Sequence, residues 1–124
     1  MGVEMTITGD TPSKKNSRNI FCRGGFPVNI PNQRYKDWHE AGMWQLKAQK
    51  IKPIASGTVM VNITIYPKTK RASDLTNKSE SCMDLLVDAG ILPDDNWFIV
   101  QQVILTFGGV DKDNPRAEVE IVEL

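Results

Sequence analysis

A chain of 124 residues, 40% of them hydrophobic, has room for one domain and one core and needs no disulfides to stand. Two cysteines, Cys22 and Cys82, and a single histidine, His39, exclude a disulfide scaffold, a four-ligand zinc site and a His-rich metal site. Net charge is zero, yet residues 1–73 carry twelve Lys/Arg against four Asp/Glu and residues 74–124 carry three against eleven, a pattern of either a basic polyanion-binding face beside an acidic, metal-attracting site or unevenly spread surface charge.

No apolar run is long enough to span a bilayer. The start, Met1 to Ile7, lacks the basic beginning and apolar middle of a secretory signal, so a cytoplasmic chain with reduced thiols is expected. Residues 3–8 alternate weakly and predict a first edge strand. The stretch Thr11-Pro12-Ser13-Lys14-Lys15-Asn16-Ser17-Arg18-Asn19 is polar and turn-rich. With Arg23, Gly24-Gly25, Pro27 and Pro31 it reads as one long, irregular basic loop reaching Asn32. A helix is predicted from about Gln33 to Lys50, with Tyr35, Trp38, Ala41, Gly42, Gln45, Leu46 and Ala48 on one stripe and Pro53 blocking extension.

Thr58 to Tyr66 is β-branched and alternating, a strand that Pro67 ends. Lys68-Thr69-Lys70-Arg71 forms a basic connector. The second helix, about Asp74 to Ala89, sets Leu75, Ser79, Cys82, Met83, Leu86 and Ala89 on one side and Asp74, Asn77, Lys78, Ser81, Asp84 and Asp88 on the other. Asn77 and Glu80 have capping-box spacing, and Gly90 is placed as the residue just past the helix end. The turn Pro93-Asp94-Asp95-Asn96 feeds a strand from Trp97 to Phe107. An acidic turn, Gly108 to Pro115, leads to a last strand, Ala117 to Val122, as a hairpin. The order is β-loop-α-β-α-β-β, a single domain over 1–124 of mixed α/β (α+β) class, with a mixed sheet of about four strands and two main helices.

Chemistry concentrates in Arg71 to Glu80, Asp84 to Gly90 and Asp94-Asp95-Asn96. Acidic residues recur at the start of a helix and in the turn beyond it, and the following strand can run back alongside the helix start. Magnesium takes one or two carboxylates and keeps positions for water and phosphate. A phosphodiesterase needs that arrangement. Spacing alone also fits structure without function, because Asp is a common helix cap and Asp-Asp-Asn common turn chemistry.

The chain resembles the RusA family of Holliday-junction resolvases over nearly its whole length. The resemblance runs through Pro12-Ser13 to Arg18, Tyr35-Lys36-Asp37 opening a helix, and Val59 to Arg71. It is strongest in Asp74-Leu75-x-Asn77, Asp84, Ala89-Gly90 and Asp94-Asp95. It implies a homodimeric, mixed α/β enzyme that uses Mg²⁺ or Mn²⁺ to nick two strands symmetrically across a four-way DNA junction, with metal ligands at Asp74 and Asp95 and Asp94 beside them. The chain departs from the family pattern at two positions, with Thr76 where a second Asp is common and Glu80 where Lys is common. Residues 76 and 80 are i,i+4 neighbours, and helical side chains lean toward the N-terminus. Glu80 is therefore expected to return the missing carboxylate, with Asp74, Glu80 and Asp95 as the acidic site, Asp94 as auxiliary, and Lys78 supplying the cation lost at 80.

Lys14, Lys15, Arg18 and Arg23 on the loop, with Lys68, Lys70, Arg71 and Asn77 near the acidic site, are the candidate DNA contacts; cations of this kind give affinity and salt dependence but little sequence information. The competing readings are a junction binder that has lost catalysis and a protein-interaction domain without a nucleic-acid role. Trp38 and Trp97 read as core. Phe21 and Phe26 are the better base-stacking candidates. His39 reads as a surface or helix residue, and Cys82 as a packing thiol.

Overall fold

The computed structural model describes residues 2–13, 18–23, 26–31 and 33–124, with only the backbone described between 18 and 31. Eight elements follow in order: β1 (Gly2–Thr8), β2 (Arg18–Arg23), β3 (Phe26–Pro31), α1 (Gln33–Ala48), β4 (Val59–Tyr66), α2 (Leu75–Asp88), β5 (Val100–Phe107) and β6 (Arg116–Glu123). Four strands form one mixed sheet in the order β1-β6-β4-β5, and β2-β3 form a separate two-stranded ribbon. The class is α+β, a four-stranded mixed sheet with two helices.

Alternation along the sheet strands sorts the two faces. Met5, Ile7, Val59, Val61, Ile63, Ile65, Ala117, Val119 and Ile121 are buried together with Leu85, Leu86, Leu46 and Trp38 from the helices. Residues between them, such as Glu4, Asn62, Thr64, Glu118 and Glu120, stay on the open face. Leu85, on α2, sits against α1 at Gly42. A Cβ at Gly42 would come within 2.5 Å of Leu85 Cδ2, so the helices approach this closely only because residue 42 has no side chain. Trp38 is 7% exposed, as its place on the stripe predicts.

Three local expectations are overturned. The long basic loop contains two strands, Arg18 pairing with Pro31 and Arg23 with Phe26. Pro27 and Pro31 suggested irregular chain, but in a two-stranded ribbon each strand is an edge, where a residue without an N–H is tolerated. The predicted hairpin of the last two strands does not form: β5 pairs parallel with β4, and β6 pairs antiparallel with both β4 and β1. The helix between β4 and β5 supplies the crossover that parallel strands need, and β4 then separates β5 from β6. Lastly, Trp97 is 76% exposed instead of core. Asn96 Oδ1 accepts from Phe98 N–H at 3.0 Å, and Asn96 O accepts from Ile99 and Val100 N–H. That turn delays β5 to Val100 and leaves Trp97 outside it.

Helix α2 begins at Leu75, with Asp74 as the extended residue before it. Asn77 is thus inside the first turn and does not cap with Glu80. At the other end Gly90 has φ +76°, the left-handed position expected there.

Candidate active site

Three segments distant in sequence meet around the N-terminal half of α2. Lys78 Nζ donates to Thr11 O at 2.7 Å, and Ser81 Oγ donates to Pro12 O at 2.7 Å. The helix thereby clamps the chain leaving β1 by two of its carbonyls. Asp10 ties in two further pieces. Its Oδ2 accepts from Arg34 Nη2 at 2.8 Å, and its Oδ1 accepts from Lys68 N–H at 3.1 Å. The start of α1 and the basic connector after β4 are so held to the end of β1.

These ties shape an open cleft of about 770 Å³ lined by Asp10, Ser13, Arg34, Pro67, Thr69, Arg71, Ala72, Ser73, Asp74, Asn77 and Lys78. Its charged lining is mixed, with Arg34, Arg71 and Lys78 beside Asp10 and Asp74. Burial holds the Lys78 ammonium below the usual lysine range, partly offset by the Asp10 charge. Asn77 Nδ2 donates to Asp74 Oδ2 at 3.4 Å.

A second groove, of about 450 Å³, runs between α2 and β5. Ser79, Glu80, Met83, Asp84, Asp95, Val103 and Leu105 line it. Glu80 and Asp84 are one helical turn apart and so share a face. Asp95 joins them from the turn that leads to β5. The Asp84 carboxylate also accepts from Tyr35 Oη at 3.3 Å, which ties this groove to α1.

Glu80 and Asp95 thus line one groove, while Asp74 lines the neighbouring cleft. Among the described residues, no group of three or more His, Cys, Asp and Glu side chains is placed to hold a metal ion. Six residues of helix rise about 9 Å, which separates Asp74 from Glu80 although both belong to the same turn-by-turn run of α2 and its cap. Asn77, midway between them in sequence, lines the Asp74 cleft and not the Glu80 groove. Asp94 turns inward on its own bend: its Oδ1 accepts from Asp95 N–H at 2.7 Å. That N–H holds the Asp94 carboxyl below the usual carboxylate range.

The donor chemistry of the second groove suits a hard divalent cation held by one or two carboxylates and water, the usual mode for magnesium. It is not an all-protein cage of the kind calcium takes. Lys14 and Lys15 lie outside the described residues. Arg18 and Arg23 are on β2, and Phe21 and Phe26 on β2 and β3, where side chains are not described. Lys68 and Lys70 are exposed on the connector. His39 Nε2 lies 2.8 Å from Asp88 Oδ2, a bridge between the helices. Cys82 is fully buried, and burial pushes its thiol up to about 12.

Asp10, Ser13, Arg34 and Asp84 were not among the residues assigned a role from sequence. Asp84 carried a signal, since it stands four residues after Glu80. Nothing local points to Asp10 or Arg34, which meet only through the fold.

A family model described as Endodeoxyribonuclease RusA matches residues 11–122. The crossover junction endodeoxyribonuclease RusA of Aquifex aeolicus (strain VF5) is 28% identical over 85 residues, covering 68% of this chain and 66% of that protein. The family match takes in the second groove, the first cleft apart from Asp10, α2, the acidic turn after it and the strand beyond, and the chain belongs to the RusA endodeoxyribonuclease family.

Proposed function

We propose that the protein is a divalent-metal-dependent endonuclease that nicks four-way DNA junctions in pairs, acting as a homodimer in recombination and repair within the cytoplasm. The observation that carries this reading is the gathering of Glu80, Asp84 and Asp95 along one groove, across α2 from a cleft with Arg34, Arg71 and Lys78 in its wall. Acidic oxygens suited to a metal thus lie beside cations suited to phosphate.

Glu80 and Asp95 are the residues that would hold the ion, Mg²⁺ or Mn²⁺, with Asp84 alongside; Asp74 and Asn77 bound the neighbouring cleft. When bound, a hard divalent ion polarises a phosphoryl oxygen and makes its water a nucleophile near neutral pH. The chain's own groups place the strand. Arg34 and Arg71 offer forks that match phosphate oxygens. Lys78 stands at the cleft wall with its Nζ held by Thr11 O. Asp10 orients Arg34 through the 2.8 Å ion pair. Lys68 and Lys70 extend the basic surface toward the duplex arms, and Lys14, Lys15, Arg18 and Arg23 are assigned as further phosphate contacts on their charge alone.

The test is cleavage of a synthetic four-way junction. The expected result is paired, symmetric nicks in Mg²⁺ or Mn²⁺ that cease when EDTA is added. A junction shifted on a native gel equally well with and without the ion, and never cut, overturns the enzyme and favours a second reading. That reading is a junction-binding protein whose catalysis is lost. It draws on Thr76 and Glu80 in the acidic segment and on the absence, among the described residues, of three acidic side chains placed closely enough to hold one metal ion.

A further inference from the structure

The end of α1 is committed on one side and open on the other. On the committed side, Gln49 Oε1 accepts from Thr6 N–H at 3.0 Å and Gln49 Nε2 donates to Thr6 O at 2.7 Å. Gln45 repeats the pattern with Thr8 N–H at 2.6 Å and Thr8 O at 3.3 Å. These amides cap the edge of β1. On the open side, the ends of α1 and α2 border a groove of about 440 Å³. Met43, Trp44, Leu46 and Ile51 line it from α1 and the chain just beyond, Ala89 and Ile91 from past the end of α2. Leu46 and Ile91 are buried, whereas Trp44 is 65% exposed. The charged residues of this lining are Lys47 and Lys50, both exposed. No Asp or Glu occurs between Glu40 and Asp74, so the surrounding chain brings the lysines no carboxylate of its own.

We propose that this groove binds a short acidic peptide segment of a partner protein, its large apolar side chains seated against Met43, Trp44 and Ile51 and its carboxylates on Lys47 and Lys50. Two details support the role of the lysines. Lys47 Nζ lies 5.3 Å from the centroid of the Trp44 ring, within cation–π reach, so one ammonium is kept beside the most exposed apolar wall. Lys50 stands just past α1 with φ +55°, and its N–H closes the helix end on Lys47 O at 3.1 Å. Glycine takes that left-handed backbone without steric cost, so the turn itself has no need of a lysine. Charge complementarity then selects the occupant. A basic segment meets like charge, and a second copy of the same face sets these lysines against their equals. A nucleic acid could use the two cations, but it leaves the aliphatic lining unmatched and finds one aromatic ring where strand binders use several in succession. The groove also lies at the far end of both helices from the cleft: the 14 residues of α2 run about 21 Å from Asn77 and Lys78 in its first turn to its end beside Ala89. Peptide and DNA can therefore be held together, and the groove attaches the protein to a partner without blocking the cleft. This site stands on its own geometry and does not depend on the nuclease reading.

The probe is a random twelve-residue peptide library displayed on phage and selected on the full chain, with the recovered sequences then measured as labelled synthetic peptides by fluorescence polarisation. The expected sequences combine Asp or Glu with Leu, Ile, Phe or Trp. Their affinity is expected to fall about 10-fold or more in Trp44→Ala, and about fivefold or more in Lys47→Ala combined with Lys50→Gly. Binding of a four-way junction should be the same in all three proteins. Glycine at 50 accepts the backbone that the lysine has, so the double variant is expected to stay folded, and urea melts check that it does. Recovered peptides without an acidic bias, peptides that hold the double variant as tightly as the wild type, or no recovered peptide at all overturn the proposal. So does a labelled oligothymidylate that binds the wild type and is released by the lysine changes, which would make the groove a nucleic-acid site. A solution molar mass that drops in Trp44→Ala overturns it as well, because a second copy would then cover the groove.

Discussion

Glu80 occupies an unusual position for a helix residue, exposed on the surface of α2 yet lining the same groove as the Asp95 bend. Glu80→Gln keeps its length and hydrogen-bonding capacity while removing the charge a cation needs. Losing an outer partner of a metal ligand costs about 10–100-fold in affinity or activity, so loss of the carboxylate itself is expected to lower junction nicking by more than about 100-fold. Junction affinity in EDTA should stay unchanged. Nicking at the wild-type rate would remove Glu80 from the metal site. A different kind of carboxylate stands at Asp111. Its Oδ2 accepts from Arg116 Nη1 at 2.8 Å and its Oδ1 from Asn114 N–H at 3.1 Å. Arg116 in turn lies over the Tyr66 ring, 3.9 Å from its centroid. The Arg116 hydrogen bond holds the Asp111 carboxyl below its ordinary 3.8. A lowered folded pKa means that the unfolded chain binds the proton more readily, so the group's contribution is present above about 3.8 and fades as pH falls through the folded value. Asp111→Asn should therefore be less stable than the wild type near neutrality, with the gap closing in acid. Denaturant melts near neutral pH and again in strong acid check this, and a gap that widens in acid contradicts it.

Elements are held together here by contacts between helix faces and by side chains that reach across the sheet edge. Helices α1 and α2 meet where Gly42 admits Leu85. Tyr35–Asp84 and His39–Asp88 form two further rungs, each spaced by four residues on its own helix. Replacing Gly42 by Val would force two branches into the space Leu85 fills. Overpacking of this kind costs about 1–3 kcal/mol, and the variant should lose that much in a urea melt. Because α1 also carries Gln45 and leads into Gln49, the shift would disturb the cap on β1 as well. Stability equal to the wild type would mean that the helices stand further apart than the structure has them.

Charge is distributed over the whole molecule less simply than the two halves of the chain suggest. Part of the acidic excess of residues 74–124 lies on the open sheet face, where Glu118 and Glu120 stand with Glu4, and Glu4 directly opposes Glu120 across the β1–β6 pair. That face repels DNA and gives it reason to approach from the cleft. The basic connector at Lys70 and Arg71 stands at the cleft side, near Asp74. Each phosphate contact contributes roughly 0.9 to the slope of log affinity against log salt on duplex DNA. Lys70→Ala combined with Arg71→Ala should lower the slope for a four-way junction by about 1.8, and weaken binding without changing preference among junction sequences. An unaltered slope would take the connector out of the DNA interface.

Much of this was readable along the chain. The alternation from Val59 to Ile65, the apolar side of α2 and Gly90 at its end depend on neighbours two to four residues away, and those intervals are written in the residues. The same holds for Glu80 and Asp84 on one face of α2, and for the family pattern from Asp74 to Asp95. What only the tertiary structure decided is which distant pieces meet. Residues Val100 to Phe107 and Arg116 to Glu123 look like a hairpin by proximity, but β4 lies between them. Asp74 and Glu80 stand only six positions apart, but open on different hollows because of the helical rise between them. Asp10 finds Arg34 and Lys68 only after β1, α1 and the connector have been packed side by side. Periodicity specifies a strand or a helix and its buried face; the choice of partner for that face depends on the shape and volume of surfaces far away in sequence, and no local spacing encodes it.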